Sequence, residues 1–189
     1  FRLEVSCGSQ VSHADIVVRV PNLPASNSFQ VNPLAGVALE TNFYFSTTPA
    51  IMKSDDYPLT YYFGFMMDSQ TQYIIYTSQV WLSTEAILPA DKTAGLSKIT
   101  PFLKICTASK VCSTTLGPVI TTSLPDTISE KRIRELSEQL ITTFNQDAVP
   151  DGFSLAGTVL TTLKLMQDQS AYINVCNIVM LLTLDQISL

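Results

Sequence analysis

The sequence contains a single histidine, and its neighbours offer the residue types of a hydrolase site. His13 lies between Ser12 and Asp15, so a nucleophile, a base and a carboxylate are all present. Neighbours along one strand or turn do not converge on a substrate atom as a catalytic triad does, and the sequence has no nucleophile elbow of the Gly-x-Ser-x-Gly type. We therefore interpret His13 as an exposed turn residue and predict that the protein is not an enzyme.

The adjacent carboxylates of Asp55 and Asp56 are the strongest candidate for a cation site. Calcium takes roughly six to eight oxygen ligands, and no further acidic residue lies nearby in the sequence. We therefore interpret the pair as part of a turn before Pro58. Zinc is disfavoured because the sequence has no Cys-x-x-Cys pair and His13 has no ligand neighbour. We predict neither a metal nor a cofactor.

The four cysteines predict disulfide chemistry. Cys106 and Cys112 bracket a predicted turn, and this spacing lets two strand ends face each other across a hairpin. Cys7 and Cys176 remain as a second candidate pair, whose connectivity the sequence leaves open. Disulfides persist in oxidising compartments, so we expect an extracellular or cell-surface location. Buried free thiols are the alternative.

Hydroxyl-rich stretches are candidate modification sites. No Asn-x-Ser/Thr sequon occurs, and the cysteine variant at Asn174 lies in a predicted helix, so any glycan is expected to be O-linked. The alternative is that these hydroxyls only line edge strands. The candidate positions for O-glycosylation are Thr47, Thr48, Ser113, Thr114, Thr115, Thr121 and Thr122.

Charge and hydropathy argue against two further classes of function. The 189 residues carry a net charge of −5, and their eleven basic residues are scattered, so we expect no binding to nucleic acid. The most apolar run, residues 178–184, is far shorter than the roughly 20 residues that span a bilayer. The chain is therefore not expected to cross a membrane.

Because the sequence opens inside a strand pattern and without Met, we expect it to be a piece of a longer protein.

A β-hairpin is the first element that the sequence predicts, within residues 1–24. Apolar and polar residues alternate on either side of a turn at residues 7–10, as in half-buried strands. A lone hairpin is marginally stable in water, so we expect this one to complete a neighbouring domain or subunit. The predicted assembly residues are Phe1, Leu3, Val5, Ile16, Val18 and Val20.

Residues 25–125 are predicted to form an immunoglobulin-like β-sandwich. Their short strand patterns are separated by Pro, Asn and Ser turns, which is typical of about seven antiparallel strands. Tyr61, Phe63 and Phe65 are expected to share one face of a sheet, and Gly64 to permit a close approach on the other. The predicted strands cover residues 29–31, 37–45, 59–65, 72–77, 80–83, 86–88, 102–105 and 118–121.

Residues 126–189 change to the hydrophobic period of helices. Three helices are predicted, over residues 126–146, 154–167 and 168–184, with Pro150 in the first break. Thr127 and Glu130 fit a capping box at the first start. The third helix is apolar nearly all round, which is typical of a helix buried on most sides. The predicted fold is thus an all-β sandwich followed by a small, segregated α-helical unit, with an extra N-terminal hairpin.

Several motifs occur in an order that resembles the receptor-for-egg-jelly (REJ) module of polycystin-1-like and protist surface proteins. The central one is DDYPLTYYFGF, residues 55–65. Val31-x-Pro33, Gly36 and Ala38-Leu39-x-Thr41-x-Phe43-x-Phe45 precede it, and Ile87-Leu88-Pro89 follows it. One departure is the stretch 48–52, TPAIM, where the family often has a Trp. The resemblance implies an extracellular β-sandwich module with a non-catalytic, surface or adhesive role.

These observations lead to three hypotheses for function. We expect an extracellular structural protein, a repeating subunit of a head-to-tail filament or array held by hairpin exchange. In this case the partner is another copy of the chain, and glycans are further candidate partners. The alternative is a monomeric adhesive or ligand-binding REJ-like module of a larger cell-surface receptor. A third is a pilus-type adhesin subunit with the hairpin as donor strand.

Overall fold

The structure is a computed structural model that describes residues 1–17, 22–26, 28–67, 71–90, 96–145, 149–167 and 169–187. Within these residues strands come first and helices follow, as predicted. The strands are β1 (Arg2–Cys7), β2 (Gln10–Asp15), β3 (Phe29–Asn32), β4 (Ala35–Val37), β5 (Asn42–Thr47), β6 (Thr60–Met66), β7 (Gln72–Ser78), β8 (Ser83–Ile87), β9 (Leu96–Cys106), β10 (Cys112–Leu116) and β11 (Ile120–Ser123). The helices are α1 (Glu130–Asn145), α2 (Val149–Met166) and α3 (Gln169–Ile187).

Strands β3 to β11 form two sheets that enclose one apolar core, and we call this body the sandwich. The larger sheet has the order β4-β11-β9-β6-β7, with β10 also paired to β9, and the smaller has the order β3-β5-β8. The core contains Phe43 and Phe45 from the smaller sheet and Phe63, Leu103 and Ile105 from the larger. Apolar side chains alternate inward along β5 and β6, and burial of these side chains between the sheets stabilises the sandwich.

The aromatic stripe predicted on β6 is confirmed. Tyr61, Phe63 and Phe65 are almost fully buried in the sandwich core. Gly64 faces the other side of the sheet, directly opposite Phe102 of β9. A Cβ atom at this position would lie 2.4 Å from the Phe102 ring and 2.4 Å from the Tyr73 carbonyl oxygen, so the expected close approach is also confirmed.

The predicted strand over residues 37–45 is instead two strands with a turn between them. The backbone N–H groups of Glu40 and Thr41 donate to the Val37 carbonyl, and the Val37 N–H donates to Thr41 Oγ1 at 2.9 Å. Leu39 adopts a φ of 63° in this turn, a conformation that an L-residue with a branched side chain seldom adopts. The sequence predicts one strand because Leu39 and Thr41 of the turn continue the alternation of the strand residues on either side.

The three helices form a second apolar core that the sandwich completes. Leu136, Leu140 and Phe144 of α1 pack with Val159 and Leu163 of α2 and with Val175 of α3. Leu39 and Ile87 of the sandwich are buried in the same cluster. The Arg132 side chain of α1 also donates through Nε to the Leu39 carbonyl oxygen at 2.8 Å. The helical unit therefore packs on the sandwich through the turn at Leu39.

Two helix starts differ from their predicted positions. Ser129 Oγ accepts the Arg132 N–H at 3.2 Å, so Ser129 caps α1, and the predicted capping box of Thr127 and Glu130 is wrong. Helix α2 begins at Val149 rather than at residue 154, because proline is tolerated in the first turn of a helix, where its missing N–H has no intrahelical partner.

Helix α3 is less buried than predicted. Ala171 and Val175 are buried, but Ile173 and Met180 are exposed and the Leu181 side chain is 64% exposed. Two neighbouring helices can cover only one side of a third. The prediction that α3 is buried on most sides is therefore wrong for its described residues. None of the described helices is both long and apolar enough to span a bilayer.

Candidate interaction surfaces

The N-terminal hairpin is an amphipathic two-stranded ribbon. Strands β1 and β2 pair antiparallel across a turn at Gly8 and Ser9, and Gly8 has the positive φ of 61° that this turn uses. Residues opposite each other share a face, and the register sets Leu3 against Ala14 and Val5 against Ser12. One face of the ribbon, which we call the apolar face, therefore carries Phe1, Leu3, Val5, Cys7, Ala14 and Ile16, with the neutral polar side chains of Gln10 and Ser12 at the end near the turn.

The apolar face of the hairpin is uncovered. All of residues 1–17 are exposed, and the Phe1 side chain is 90% and the Leu3 side chain 67% exposed. Phe1 and Ile16 exchange backbone hydrogen bonds of 2.8 Å, which brings them side by side. The structure thus brings four of the predicted assembly residues onto one surface, Phe1, Leu3, Val5 and Ile16.

The second strand of the hairpin ends earlier than predicted. It stops at Asp15, the partner of Arg2, because β1 offers six residues for pairing and the turn fixes where the pairing starts. Ile16 lies just beyond this strand. Val18 and Val20, the remaining predicted assembly residues, lie outside the described residues.

The opposite face of the ribbon is polar. Arg2 donates through Nε and Nη2 to the two carboxylate oxygens of Asp15, at 2.8 and 3.1 Å. This hydrogen bond raises the pKa of the Arg2 guanidinium. Glu4 lies opposite His13 on the same face. Ser12 precedes His13 in the strand, so its side chain lies on the other face of the ribbon.

A second surface lies at one end of the sandwich, which we call the loop end. Three loops meet there, residues 48–59 between β5 and β6, residues 79–82 between β7 and β8, and residues 107–111 between β9 and β10. The Ala108 N–H donates to the Asp56 carbonyl at 3.2 Å, and the Thr47 N–H donates to the Leu82 carbonyl at 2.9 Å. These bonds join the loops into one surface.

Large apolar side chains project from the loop end. Ile51 is 83% and Trp81 66% exposed, and Tyr57 and Val80 are exposed as well. Val80 and Trp81 were predicted to lie in a strand, but they form a turn in which both backbone N–H groups donate to Ser78 Oγ. Sequence reasoning missed this surface because the loops that form it are far apart in the chain.

The backbone of the loop end is held in place although its side chains are exposed. The predicted disulfide between Cys106 and Cys112 is present and closes the loop 107–111. The Val111 N–H donates to Thr107 Oγ1. In the longest loop the Ala50 N–H donates to the buried Tyr61 hydroxyl at 3.0 Å, and the Tyr57 hydroxyl donates to the Ala50 carbonyl at 3.3 Å.

The two aspartates of the DDYP motif form the predicted turn. Residues 54–56 make one turn of 3₁₀ helix, with the Asp56 N–H donating to the Lys53 carbonyl. Ser54 Oγ donates to Asp55 Oδ1 at 3.2 Å. In the part of the chain that the structure describes, no three acidic, histidine or cysteine side chains come together as metal ligands.

A cleft of about 230 Å³ lies between the sandwich and the helical unit, beside their contact at Leu39. Its walls include Tyr76 of β7, Glu85 of β8, Gln139 of α1 and Asp151 of α2. Burial raises the pKa of the Asp151 carboxyl, because removing a carboxylate from water disfavours its charged form. The sequence pattern does not predict this cleft, since its two carboxylates come from elements that only the fold brings together.

The remaining candidate residues are dispersed. Cys7 and Cys176 are both free thiols, so the second candidate disulfide is not formed. Thr122 is fully buried and donates to the Pro89 carbonyl at 2.8 Å, which leaves no room for a glycan. Thr47 and Thr121 are half-buried, and Ser113 is also half-buried and donates to the Pro24 carbonyl. The hydroxyl positions that are exposed are Thr48, Thr114 and Thr115.

Comparison with known proteins gave one match. Residues 1–150 match the model of the family described as REJ domain. No curated protein and no solved structure matches the chain. The matched range includes the hairpin, the sandwich with its loop end, and α1, and it ends in the first turn of α2.

Proposed function

Since the chain belongs to the REJ domain family, we propose that it is an extracellular adhesive or ligand-binding module of a larger cell-surface receptor. In this proposal the loop end of the sandwich contacts the ligand. The observation that carries it is a set of exposed apolar side chains, Ile51, Tyr57, Val80 and Trp81, on two loops that hydrogen bonds hold in place. One of these loops is also hydrogen-bonded to the loop that the disulfide closes.

The physical support is that this surface combines rigidity with apolar exposure. Trp and Tyr dominate the binding energy of many protein interfaces, because they bury a large area at little cost in side-chain entropy. A backbone ordered before binding reduces the entropy lost on association. An isolated exposed apolar residue would need no explanation, but several on adjoining loops mark an interaction site.

We also propose that the sandwich is immunoglobulin-like, and the strand order supports this. Variable-type immunoglobulin domains extend the C-F-G sheet beyond strand C, and their binding loops cluster at one end. Here β6 and β9 lie side by side in the positions of strands C and F, β10 and then β11 pair with successive parts of β9 in the position of strand G, and β7 lies beyond β6. The loops 48–59 and 107–111 then correspond to the B–C and F–G binding loops of such domains.

The proposed ligand of the loop end is a protein. Ile51 and Val80 can form no hydrogen bonds with the hydroxyl groups of a sugar, and their aliphatic side chains gain most from an apolar pocket on a protein. A disulfide in a short hairpin loop supports the extracellular location. The exposed hydroxyls of Thr48, Thr114 and Thr115 are the candidates that we retain for O-linked glycans.

Binding of the soluble chain to cells of its source organism, measured by flow cytometry, tests this proposal. We expect saturable binding that falls at least about tenfold in Trp81→Ala, the range of an interface hot spot. Leu96→Ala is the matched control, because Leu96 is comparably exposed but lies at the start of β9. Equal binding by Trp81→Ala and the wild-type chain would contradict the proposal.

A second candidate function is the head-to-tail filament, which the uncovered apolar face of the hairpin favours. An unpaired ribbon can add to a different surface on the next copy and so form an open filament. Light scattering distinguishes the two functions: large polymers favour the filament, and a single species of 20.8 kDa favours the receptor module. Removal of residues 1–24 should abolish polymers, and polymers that persist without them would rule out the hairpin as their contact.

A further inference from the structure

We propose that the apolar face of the hairpin packs against the same face of a second copy, forming a closed two-fold dimer. This inference goes beyond the receptor module, whose ligand contacts the loop end. It also differs from the filament, because a contact between identical patches closes on itself. The structure supports it through the distribution of charge on the ribbon, the exposure of the ribbon and the character of the other exposed surfaces.

The charged residues of the hairpin are confined to the polar face. Arg2, Glu4, His13 and Asp15 share that face by the strand register, and Arg2 and Asp15 already pair with each other there. The apolar face carries Phe1, Leu3, Val5, Ala14 and Ile16 without a charged side chain among them. Two such faces can therefore meet without burying a charge, and an unpaired buried charge is the main penalty in an interface.

The hairpin has no covering element within its own described chain. Every residue from 1 to 17 is exposed, whereas a two-stranded ribbon is marginally stable in water unless a third strand or a packed face supports it. Face-to-face packing at about 10 Å, the spacing of stacked sheets, turns two ribbons into a four-stranded sandwich. A second hairpin thus supplies what the first one lacks.

The other exposed apolar surfaces fit the ribbon less well. At the loop end Lys53 and Asp55 lie in the same loop as Ile51, and on α3 Asn174 and Asn177 lie among the exposed apolar residues. A docked apolar ribbon would remove these polar groups from water without offering them hydrogen bonds, which costs free energy. An identical apolar face carries no charged side chain, and its two neutral polar side chains, Gln10 and Ser12, lie at the end near the turn, so this contact removes fewer polar groups from water.

The area of the apolar face determines how strongly the two copies are expected to bind each other. Five apolar side chains per copy bury less than the roughly 800 Å² per partner of a standard stable interface. We therefore expect a weak dimer whose population rises with protein concentration. Cys7, which is free and exposed, lies on the same face at the turn. All chains in the test, including the reference chain that we call wild-type there, therefore carry Cys7→Ser to prevent covalent dimers.

Sedimentation equilibrium over a range of concentrations, up to about 1 mM, tests the proposal on the full chain. We expect a monomer–dimer equilibrium, and in Leu3→Glu a rise of at least about tenfold in the dissociation constant, equivalent to 1.4 kcal/mol. Ser6→Glu is the matched control, because it places the same charge in the same strand on the polar face. An unchanged melting temperature shows that each variant is folded, since both residues are exposed on the hairpin and their substitution is not expected to alter the sandwich core.

A mixing experiment separates the closed dimer from a head-to-tail contact. Leu3→Glu, labelled with a fluorophore, is added to the wild-type chain. A two-fold contact needs the intact face on both copies, so the labelled variant should stay monomeric. A head-to-tail contact would instead produce mixed dimers, because the variant keeps its acceptor surface.

Three results would overturn the proposal: a wild-type chain that is monomeric throughout, a Ser6→Glu variant as weak as Leu3→Glu, or mixed dimers. None of these depends on Trp81, so the receptor proposal would survive each of them. Conversely, loss of cell binding in Leu3→Glu but not in Trp81→Ala would place the ligand site on the hairpin and overturn the loop-end proposal alone.

Discussion

Gly64 is the residue where the larger sheet is packed most closely. Phe102 lies opposite it on β9, and both the Phe102 ring and the Tyr73 carbonyl occupy the space that a side chain would need. The strand pairing of β6 with β7 also shifts register between Phe63 and Gly64, as a β-bulge does. A glycine at this position lets the buried Phe102 ring cover the backbone of its neighbour.

We predict that Gly64→Ala lowers the free energy of unfolding by about 1–3 kcal/mol, the cost of overpacking. The added methyl group would lie 2.4 Å from a ring atom and 2.4 Å from a carbonyl oxygen, so the sheet must shift. Urea denaturation measures the change. Gly157→Ala is the matched control: no atom lies within 4 Å of its added methyl group, and alanine favours the helix by about 1 kcal/mol. Equal stability of the two variants would contradict this account.

At the residue scale, the sequence predicts which side chains are buried in the sandwich core better than it predicts which side chains join the sandwich to the helical unit. Tyr61, Phe63 and Phe65 alternate in a long strand, and alternation determines the buried face directly. Leu39 obeys the same alternation but belongs to the helical core. Its φ of 63° depends on a turn held by Thr41. No local pattern predicts that helices from the far end of the chain will bury this side chain.

Among the elements, the hairpin of β9 and β10 shows how the loop end is ordered. Cys106 and Cys112 are paired residues of the two strands as well as disulfide partners. Lys110 adopts a φ of 63° within the loop, and the Thr107 carbonyl accepts the Lys110 N–H. The covalent link and the turn together restrict the loop that contacts Asp56.

We predict that the double variant Cys106→Ala, Cys112→Ala is less stable than the wild-type chain by about 2 kcal/mol, the chain-entropy value for so short a loop. The two cysteines are separated by six positions, so the link restricts the unfolded chain only modestly. Urea denaturation with and without reductant measures this effect. Reductant should weaken the wild-type chain but not Cys106→Ala, Cys112→Ala. The control variant Cys7→Ala, Cys176→Ala keeps the disulfide, so reductant should weaken it as it weakens the wild type.

Elements differ in how far the sequence predicts them. The sequence predicts β6, which has an alternating buried face, to within one residue at each end; it also predicts β7 nearly in full, although that strand is only partly buried. The sequence places the start of α1 less accurately than its strands. Ser129 and Thr127 both have a hydroxyl that can cap a helix, and the structure uses Ser129. The choice between them depends on how α1 packs, which the local sequence does not show. The cleft beside Asp151 and the apolar loop end were not predicted, since both combine residues from elements distant in the chain.

On the scale of the whole molecule, the sandwich and the helical unit have separate cores that share a boundary. Leu39 and Ile87 leave the sandwich to pack among the helices. Arg132 ties α1 to the backbone of the same turn, and α2 lies beside Ile75 and Tyr76 of β7 at the cleft. The helices are therefore a structural part of the module rather than an appendage.

We predict that Leu39→Ala destabilises the helical unit by about 2–5 kcal/mol, the cost of removing a buried leucine side chain. Thermal melting followed by circular dichroism at 222 nm for the helices and in the near-ultraviolet for the aromatic core measures the change. The two transitions should coincide in the wild-type chain and separate in the variant, with the helical signal lost first. Leu34→Ala, at a half-exposed site, is the control and should leave the temperatures of both transitions unchanged. Unchanged transitions in Leu39→Ala would refute the shared boundary between the two cores.

The position of α2 has a consequence for where this module can be divided. The family match ends at residue 150, inside the first turn of that helix, while Leu39 and Ile87 depend on residues beyond it for burial. We expect a fragment cut at residue 150 to expose part of the surface of this leucine and isoleucine, because it lacks Ala156, Val159, Leu163 and Val175 of their cluster. The family boundary at residue 150 is therefore not a suitable place to truncate this chain.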